Sequence, residues 1–173
     1  MIKITGMLIV ICSSIFAGRV LGNRVKLRVE ELIYLKKLLL MFRGELDYKN
    51  AMLPEAFMSV AIRAKKPYDK VFDELSRTTE SNCTSTMAVV FETVITKYLK
   101  GNTYLKNEDL QKVYELGDTL GYQNKIMQLS NVDLFLDRLN VQIQEEREKM
   151  NDTVKVYRTM SAMTGLFVAI ILL

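Results

Sequence analysis

The sequence predicts an all-α fold: a cytoplasmic helical bundle of about six helices flanked by short N- and C-terminal transmembrane helices. Three observations predict it. Two prolines and eight glycines in 173 residues leave few places to break a helix. Apolar residues recur at spacings of three and four rather than alternating. Both ends are apolar and nearly free of charge, while the chain as a whole, 49 % apolar and 25 % charged, has the composition of a folded domain.

The first element is the run that begins at Ile4. No charge occurs from Ile4 to Gly18, and the apolar run continues past Arg19 to Leu21. It falls slightly short of the ~20 residues that usually span a bilayer, so Lys3 and Arg19 would snorkel outward or the bilayer would thin. A cleaved leader is the rival reading, but Ile15 would occupy the −3 position of the nearest cleavage site. Lys3 alone precedes the run, whereas Arg19, Arg24, Lys26, Arg28, Lys36 and Lys37 follow it. The positive-inside rule then puts the N-terminus outside and the following residues in the cytoplasm. Arg19, Arg24, Lys26 and Arg28 would meet anionic headgroups, each contributing about 1 kcal/mol near the surface.

Val25 to Phe42 carries Leu32, Leu35, Leu38, Leu39 and Phe42 at the spacing of a buried stripe. Pro54 suits the first turn of the next helix, where its missing N–H costs nothing and Glu55 favours the positive helix end. That helix is expected to reach Lys65. Pro67 opens a third over Tyr68–Leu75, and the Ser/Thr-rich stretch from Ser76 to Ser85 reads as a loop. Thr84 or Ser85 caps a fourth helix, which Gly101 closes. Asn107, Glu108 and Asp109 mark a fifth, with a capping amide followed by two acids.

The sixth begins near Asn124. Leu129, Val132, Leu136, Leu139, Ile143, Met150, Val154 and Tyr157 form its stripe, interrupted where the face carries Glu146 and Arg147. With no proline after Pro67 and no glycine in Asn124–Thr164, one helix of ~70 Å could run from the bundle into the apolar tail. Arg147, Lys149, Lys155 and Arg158 precede that tail, which repeats the orientation read at the first end. The resulting division is residues 1–22 as N-terminal anchor, 23–158 as cytoplasmic bundle and 159–173 as C-terminal membrane segment.

Little here suggests catalysis. Histidine is absent, which removes the commonest general base and metal ligand. No phosphate-binding glycine loop, cysteine cluster or EF-hand loop occurs. The adjacent acids Glu30-Glu31, Asp73-Glu74, Glu108-Asp109 and Glu145-Glu146 read as solvated faces or first-turn dipole partners. Cys12 and Cys83 are not read as a disulfide pair. The expectation is a protein that is not an enzyme and takes no cofactor, metal or small-molecule substrate. Nine Lys/Arg against four Asp/Glu in residues 1–50 put the basic excess beside an apolar run, a membrane-surface pattern. No interleaved aromatics accompany it, so nucleic acid is not an expected partner.

Gly117 and Gly121 lie four residues apart on one helix face. Gly117 should cost about 1 kcal/mol relative to alanine in a helix interior, a cost accepted where another backbone approaches closely. A binding groove for a partner is the second reading of Gly117. For Gly121 a C-terminal cap competes with helix packing.

Gly117-Asp118-Thr119-Leu120-Gly121 after Asn107-Glu108-Asp109-Leu110, together with Phe42-Arg43-Gly44-Glu45-Leu46-Asp47-Tyr48 leading to Leu53-Pro54-Glu55-Ala56-Phe57, resembles the stage III sporulation protein AB family over the whole length. That family is similar in fold to the cytoplasmic domain of the type II secretion F protein, an inner-membrane platform. The resemblance implies a non-catalytic platform in a sporulation channel, placed in the mother-cell membrane around the forespore with both termini outside. Its partners would be a secretion-type ATPase and other sporulation channel proteins. Charged residues beside helix starts would then dock the ATPase: Glu45, Asp47 and Glu55 near the second helix, Glu108 and Asp109 at the fifth. Tyr48 would orient that loop from a buried edge, or serve as a plain core tyrosine. Pro54, Gly117 and Gly121 would serve helix packing. The alternative function is a membrane-anchored adaptor or signalling protein, acting through a parallel homodimer of the Leu136–Tyr157 stripe.

Overall fold

The computed structural model describes residues 2–49, 51–81, 86–120 and 124–171. It contains α1 (Ile2–Tyr48), α2 (Leu53–Ala61), α3 (Tyr68–Glu80), α4 (Met87–Tyr98), α5 (Asn107–Leu120) and α6 (Lys125–Ile171), and no strand among the described residues. Two compact units result. Glu31–Ile143 form a helical bundle, and Met1–Glu30 with Gln144–Leu173 form a second unit from the outer parts of α1 and α6.

The first apolar run and the Leu-rich segment therefore belong to one helix, not two. Nothing between Leu21 and Val25 breaks the backbone; only the charge changes there. No helix is long and apolar enough to cross a membrane among the described residues.

In the bundle, Leu32, Leu35, Leu38, Leu39, Phe42 and Leu46 of α1 are buried, the i, i+3, i+4, i+7 stripe that the spacing predicts. The core is aromatic at its centre. Phe57 stacks on Phe42 with ring centroids 4.7 Å apart and meets Phe72 at 6.2 Å and Phe91 at 6.0 Å. These rings tie α2, α3 and α4 to α1, and offset or edge contacts of this kind add to the area they bury.

Local chemistry sets the boundaries. Met52 is extended, and its N–H donates to the Glu55 carboxylate at 3.3 Å, so Glu55 closes the start of α2 around Pro54. α2 stops at Ala61, short of Lys65, because Arg63 and Ala64 bond three residues back and the Lys65 N–H donates to the Tyr34 hydroxyl at 2.6 Å. α3 instead runs on to Glu80, through residues that read as loop. Ser76 is buried and donates to the Pro54 carbonyl at 2.7 Å, while Thr78 and Thr79 donate to carbonyls four residues back. Residues 82–85, with Cys83 and both candidate caps, lie outside the described residues. Gly101 has φ +80°, the left-handed conformation that ends a helix at little cost to glycine.

Gly117 lies against the Phe91 ring rather than against a backbone. A Cβ there would collide with Cβ and Cγ of Phe91 and come within 2.8 Å of its Cδ1. Gly121 lies outside the described residues. Because Phe91 is buried and would be struck at its root, it cannot swing aside. Gly117→Ala should therefore lose stability by about 1–3 kcal/mol, overpacking outweighing the gain in helix propensity. Thermal melts of the full chain test this, and Phe91→Ala should remove most of the effect in a double-mutant cycle.

Candidate functional site

Two regions carry the arrangements that bear on function. The first is the unit formed by the outer parts of α1 and α6. Here, among the described residues, glycines and serines lie between the helices with Val154, while most of the large apolar side chains toward the chain ends face outward. Gly18 and Gly22 are buried against α6. A Cβ on Gly18 would penetrate Ser161 and come within 2.9 Å of the Tyr157 carbonyl oxygen; one on Gly22 would meet Val154 at 3.4 Å. One turn further, the Ser14 hydroxyl donates to the Ser161 carbonyl. Phe16 (69 % exposed), Met163 (67 %) and Phe167 (65 %) point outward, as do Val20, Leu21, Met160 and Ile170.

The register of this antiparallel pair is set by these contacts and by one ion pair. Arg28 Nη1 lies 2.8 Å from Glu146 Oε2, with the arginine side chain only 8 % exposed. Glu146 thus fills the gap in the α6 stripe, and Arg28 turns inward, away from the surface role expected of it. Arg19, Arg24 and Lys26 are exposed. Since Gly18 faces Tyr157 and Ser161, the adjacent Arg19 and Arg158 stand at one level. Beyond that level the only charged side chain on either helix is Lys3. The sequence had the signal for this contact: Gly18 and Gly22 have the same four-residue spacing that drew attention to Gly117.

The second region is the corner between α1 and α2. Glu45 is 5 % exposed, and its carboxylate lies 2.5 Å from Arg63 Nη2 and 2.8 Å from Lys49 Nζ. Arg63 also donates to Ser59 at 2.6 Å. Hydrogen bonding from Lys49, against the opposing effect of burial, and then from Ser59 and Arg63, holds Glu45 down at about 2. Beside it Arg43 grips Asp133 through two donors, Nε at 2.5 Å and Nη2 at 3.1 Å, and reaches Asp47 at 3.1 Å. The Asp133 hydrogen bond is the main reason that Arg43 is raised above its ordinary value.

The expected docking residues divide accordingly. Asp47, Glu55 and Glu108 are exposed. Glu45 and Asp109 are buried and bonded within the chain. Asp109 accepts the Lys106 N–H at 2.8 Å, capping α5, and a hydrogen bond from Gln142 at 2.6 Å. Tyr48 is neither a core residue nor a buried edge, being 87 % exposed at the end of α1. Pro54 is partly buried in the first turn of α2.

The family model described as stage III sporulation protein AB matches residues 3–173. The chain belongs to the stage III sporulation protein AB family. A solved structure titled "Stage III sporulation protein AB (SpoIIIAB)" superposes with a TM-score of 0.62 at 19 % identity, covering 72 % of this chain and 97 % of that one. No curated protein matches the chain. As a member of the stage III sporulation protein AB family, it is a component of sporulation machinery with an all-helical fold.

The Glu45 cluster predicts a specific acid response. A carboxylate held down at about 2 adds stability that is complete above its unfolded value, 4.5, and is lost as pH falls toward 2. Glu45→Gln should lower the stability of the full chain by about 1 kcal/mol at pH 7. The difference from wild type should shrink progressively between pH 4.5 and pH 2.5. Melts across that range check both the size and the direction.

Proposed function

We propose that this chain is a non-catalytic membrane platform of a sporulation channel, linking a cytoplasmic secretion-type ATPase to the transenvelope apparatus needed for forespore development. The observation that carries the membrane part is the outward-facing apolar surface of the α1–α6 pair. In water, large apolar side chains would turn inward and drive the pairing. In lipid they lose nothing by facing out, and close approach of small residues supplies the attraction. Arg19 and Arg158, level with one another, mark the headgroup boundary, with Arg24, Lys26 and Lys155 on its cytoplasmic side. The antiparallel register supports a hairpin with both chain ends on the outer face. The apolar ends are short of a standard span, so the bilayer thins around them.

Asp47, Glu55 and Glu108 form the exposed acidic contribution to ATPase docking, and Tyr48, next to Asp47 in the chain, offers an exposed aromatic anchor. The adaptor reading is disfavoured because it needs Leu136, Leu139 and Ile143 free for a partner helix. All three are buried in their own bundle.

Flotation tests both parts of the proposal. The full chain reconstituted in anionic vesicles should float with them after alkaline carbonate washing. It should then recruit the purified ATPase of the same organism, which bare vesicles should not. Recruitment should fall with added salt and with Glu55→Lys. A chain stripped by carbonate overturns the membrane reading; a chain that floats without recruiting the ATPase overturns the linkage.

A further inference from the structure

Between α5 and α6 the bundle leaves a trough. Its deeper part is a cavity of about 300 Å³ with Leu32, Leu35, Phe135 and Leu139 in its walls. A second cavity of about 130 Å³ continues it toward Thr119 and Asn131, and the two share Glu115, Phe135 and Arg138. The helices are propped apart by polar bridges at either end. At one end Lys112 donates to Gln142 at 2.7 Å and Gln142 donates to Asp109 at 2.6 Å; at the other, Asn131 donates to the Thr119 carbonyl at 3.2 Å. Asp109 is 2 % exposed, so this spacing is built into the bundle rather than improvised at its surface.

Two features of the trough point to its occupant. Glu115 and Arg138 line both cavities, are both exposed, and make no ion pair or hydrogen bond among the described residues. Opposite charges left unpaired in one trough are complementary to another copy of themselves: Glu115 of one chain can meet Arg138 of the other, and the reverse, across a two-fold axis. Beside the trough, Met127, Leu134 and Val141 stand about half exposed at seven-residue spacing along α6. That period keeps a stripe facing a parallel partner helix, each residue opposite its own counterpart. The intervening Asn131 and Arg138 are polar, so the stripe alone is too thin to hold a dimer. Seating its Leu134 ridge in the neighbouring trough supplies the missing apolar contact.

We infer that the α5–α6 trough seats a second copy of this chain in a parallel two-fold dimer, paired through Glu115 and Arg138 in trans around the Met127–Leu134–Val141 stripe. This inference stands independently of ATPase docking. A parallel arrangement also suits two copies inserted from the same side of one membrane.

Sedimentation of the full chain in detergent micelles tests it, using Glu115→Arg and Arg138→Glu. Both side chains are exposed, so neither reversal disturbs the core, and circular dichroism checks that each variant is folded. Wild type should dimerise, and each reversal should weaken the dimer about tenfold by placing like charges together twice. The double variant should recover. So should an equimolar mixture of the two single variants, because a mixed dimer restores both pairs. Recovery in the double variant without recovery in the mixture would assign the pairing to a single chain and overturn the inference. A dimer indifferent to both reversals would also overturn it. A wild-type chain that stays monomeric would do the same and leave the trough to a helix of a different protein.

Discussion

The close approach of the outer parts of α1 and α6 is the constraint on which the functional reading depends. Glycine at 18 and 22 removes the side chains that would hold the helices apart, and Ser14 and Ser161 use the proximity for a hydrogen bond. Among the described residues of this unit the buried apolar side chains are few, Val29 and Val154. Phe16, Val20, Leu21, Met160, Met163, Phe167 and Ile170 face outward instead, and the buried Arg28–Glu146 pair fixes the register where the polar part begins. A buried ion pair adds little net stability, because desolvation offsets its attraction, but it penalises any shifted register that would leave either charge unpaired. The bundle of Glu31–Ile143 is organised by a different force. There the Phe42, Phe57, Phe72 and Phe91 rings and the leucines of α1 form an ordinary dry core. One pair of continuous helices thus takes part in two units that are packed in different ways.

Polar residues within the bundle serve placement more than chemistry. The Arg43–Asp133 fork joins α1 to α6, and Glu45 with Arg63 joins α1 to α2. On the α3–α4 side Glu74 accepts from Lys97 at 3.2 Å and from Tyr98 at 3.1 Å, and those hydrogen bonds hold its carboxyl below the usual range. The buried Tyr68 hydroxyl donates to Glu31, and burial followed by that contact raises it above the ordinary tyrosine value. Each link crosses between helices whose apolar contacts alone would permit sliding. These links hold steady the surfaces that a partner would read.

The helices were legible in the sequence wherever their signals were backbone chemistry. Pro54 opened α2, Gly101 followed α4, and Asn107 began α5 where expected. Apolar spacing located the α1 and α6 stripes. Besides the early end of α2 at Ala61, two expectations about the helices failed for physical reasons. Ser76–Glu80 looked like a loop by composition, but its hydroxyls bond back to helix carbonyls and to Pro54, so polarity there is compatible with helix. The change from apolar to basic near Arg19 looked like a boundary, but charge does not break a helix. The docking residues were less legible, because an acid near a helix start has two uses. Glu55 and Asp109 each satisfy backbone donors, yet Asp109 also turns inward to Gln142 while Glu55 stays at the surface. Only the packing separates them. The Gly18–Gly22 seam was readable in principle, but its partner surface on α6 lies well over a hundred residues away in sequence.

The most direct test of this account is the depth of the outward-facing side chains of the helix pair. Spin labels placed singly at Phe16, Met163, Arg24 and Asn151 of the full chain in anionic vesicles would be compared for collision with oxygen and with a water-soluble nickel chelate. The account predicts that labels at 16 and 163 collide preferentially with oxygen, as in hydrocarbon, while those at 24 and 151 collide preferentially with the chelate. Preferential collision with the chelate at all four positions would contradict it, because the outward apolar surface would then face water.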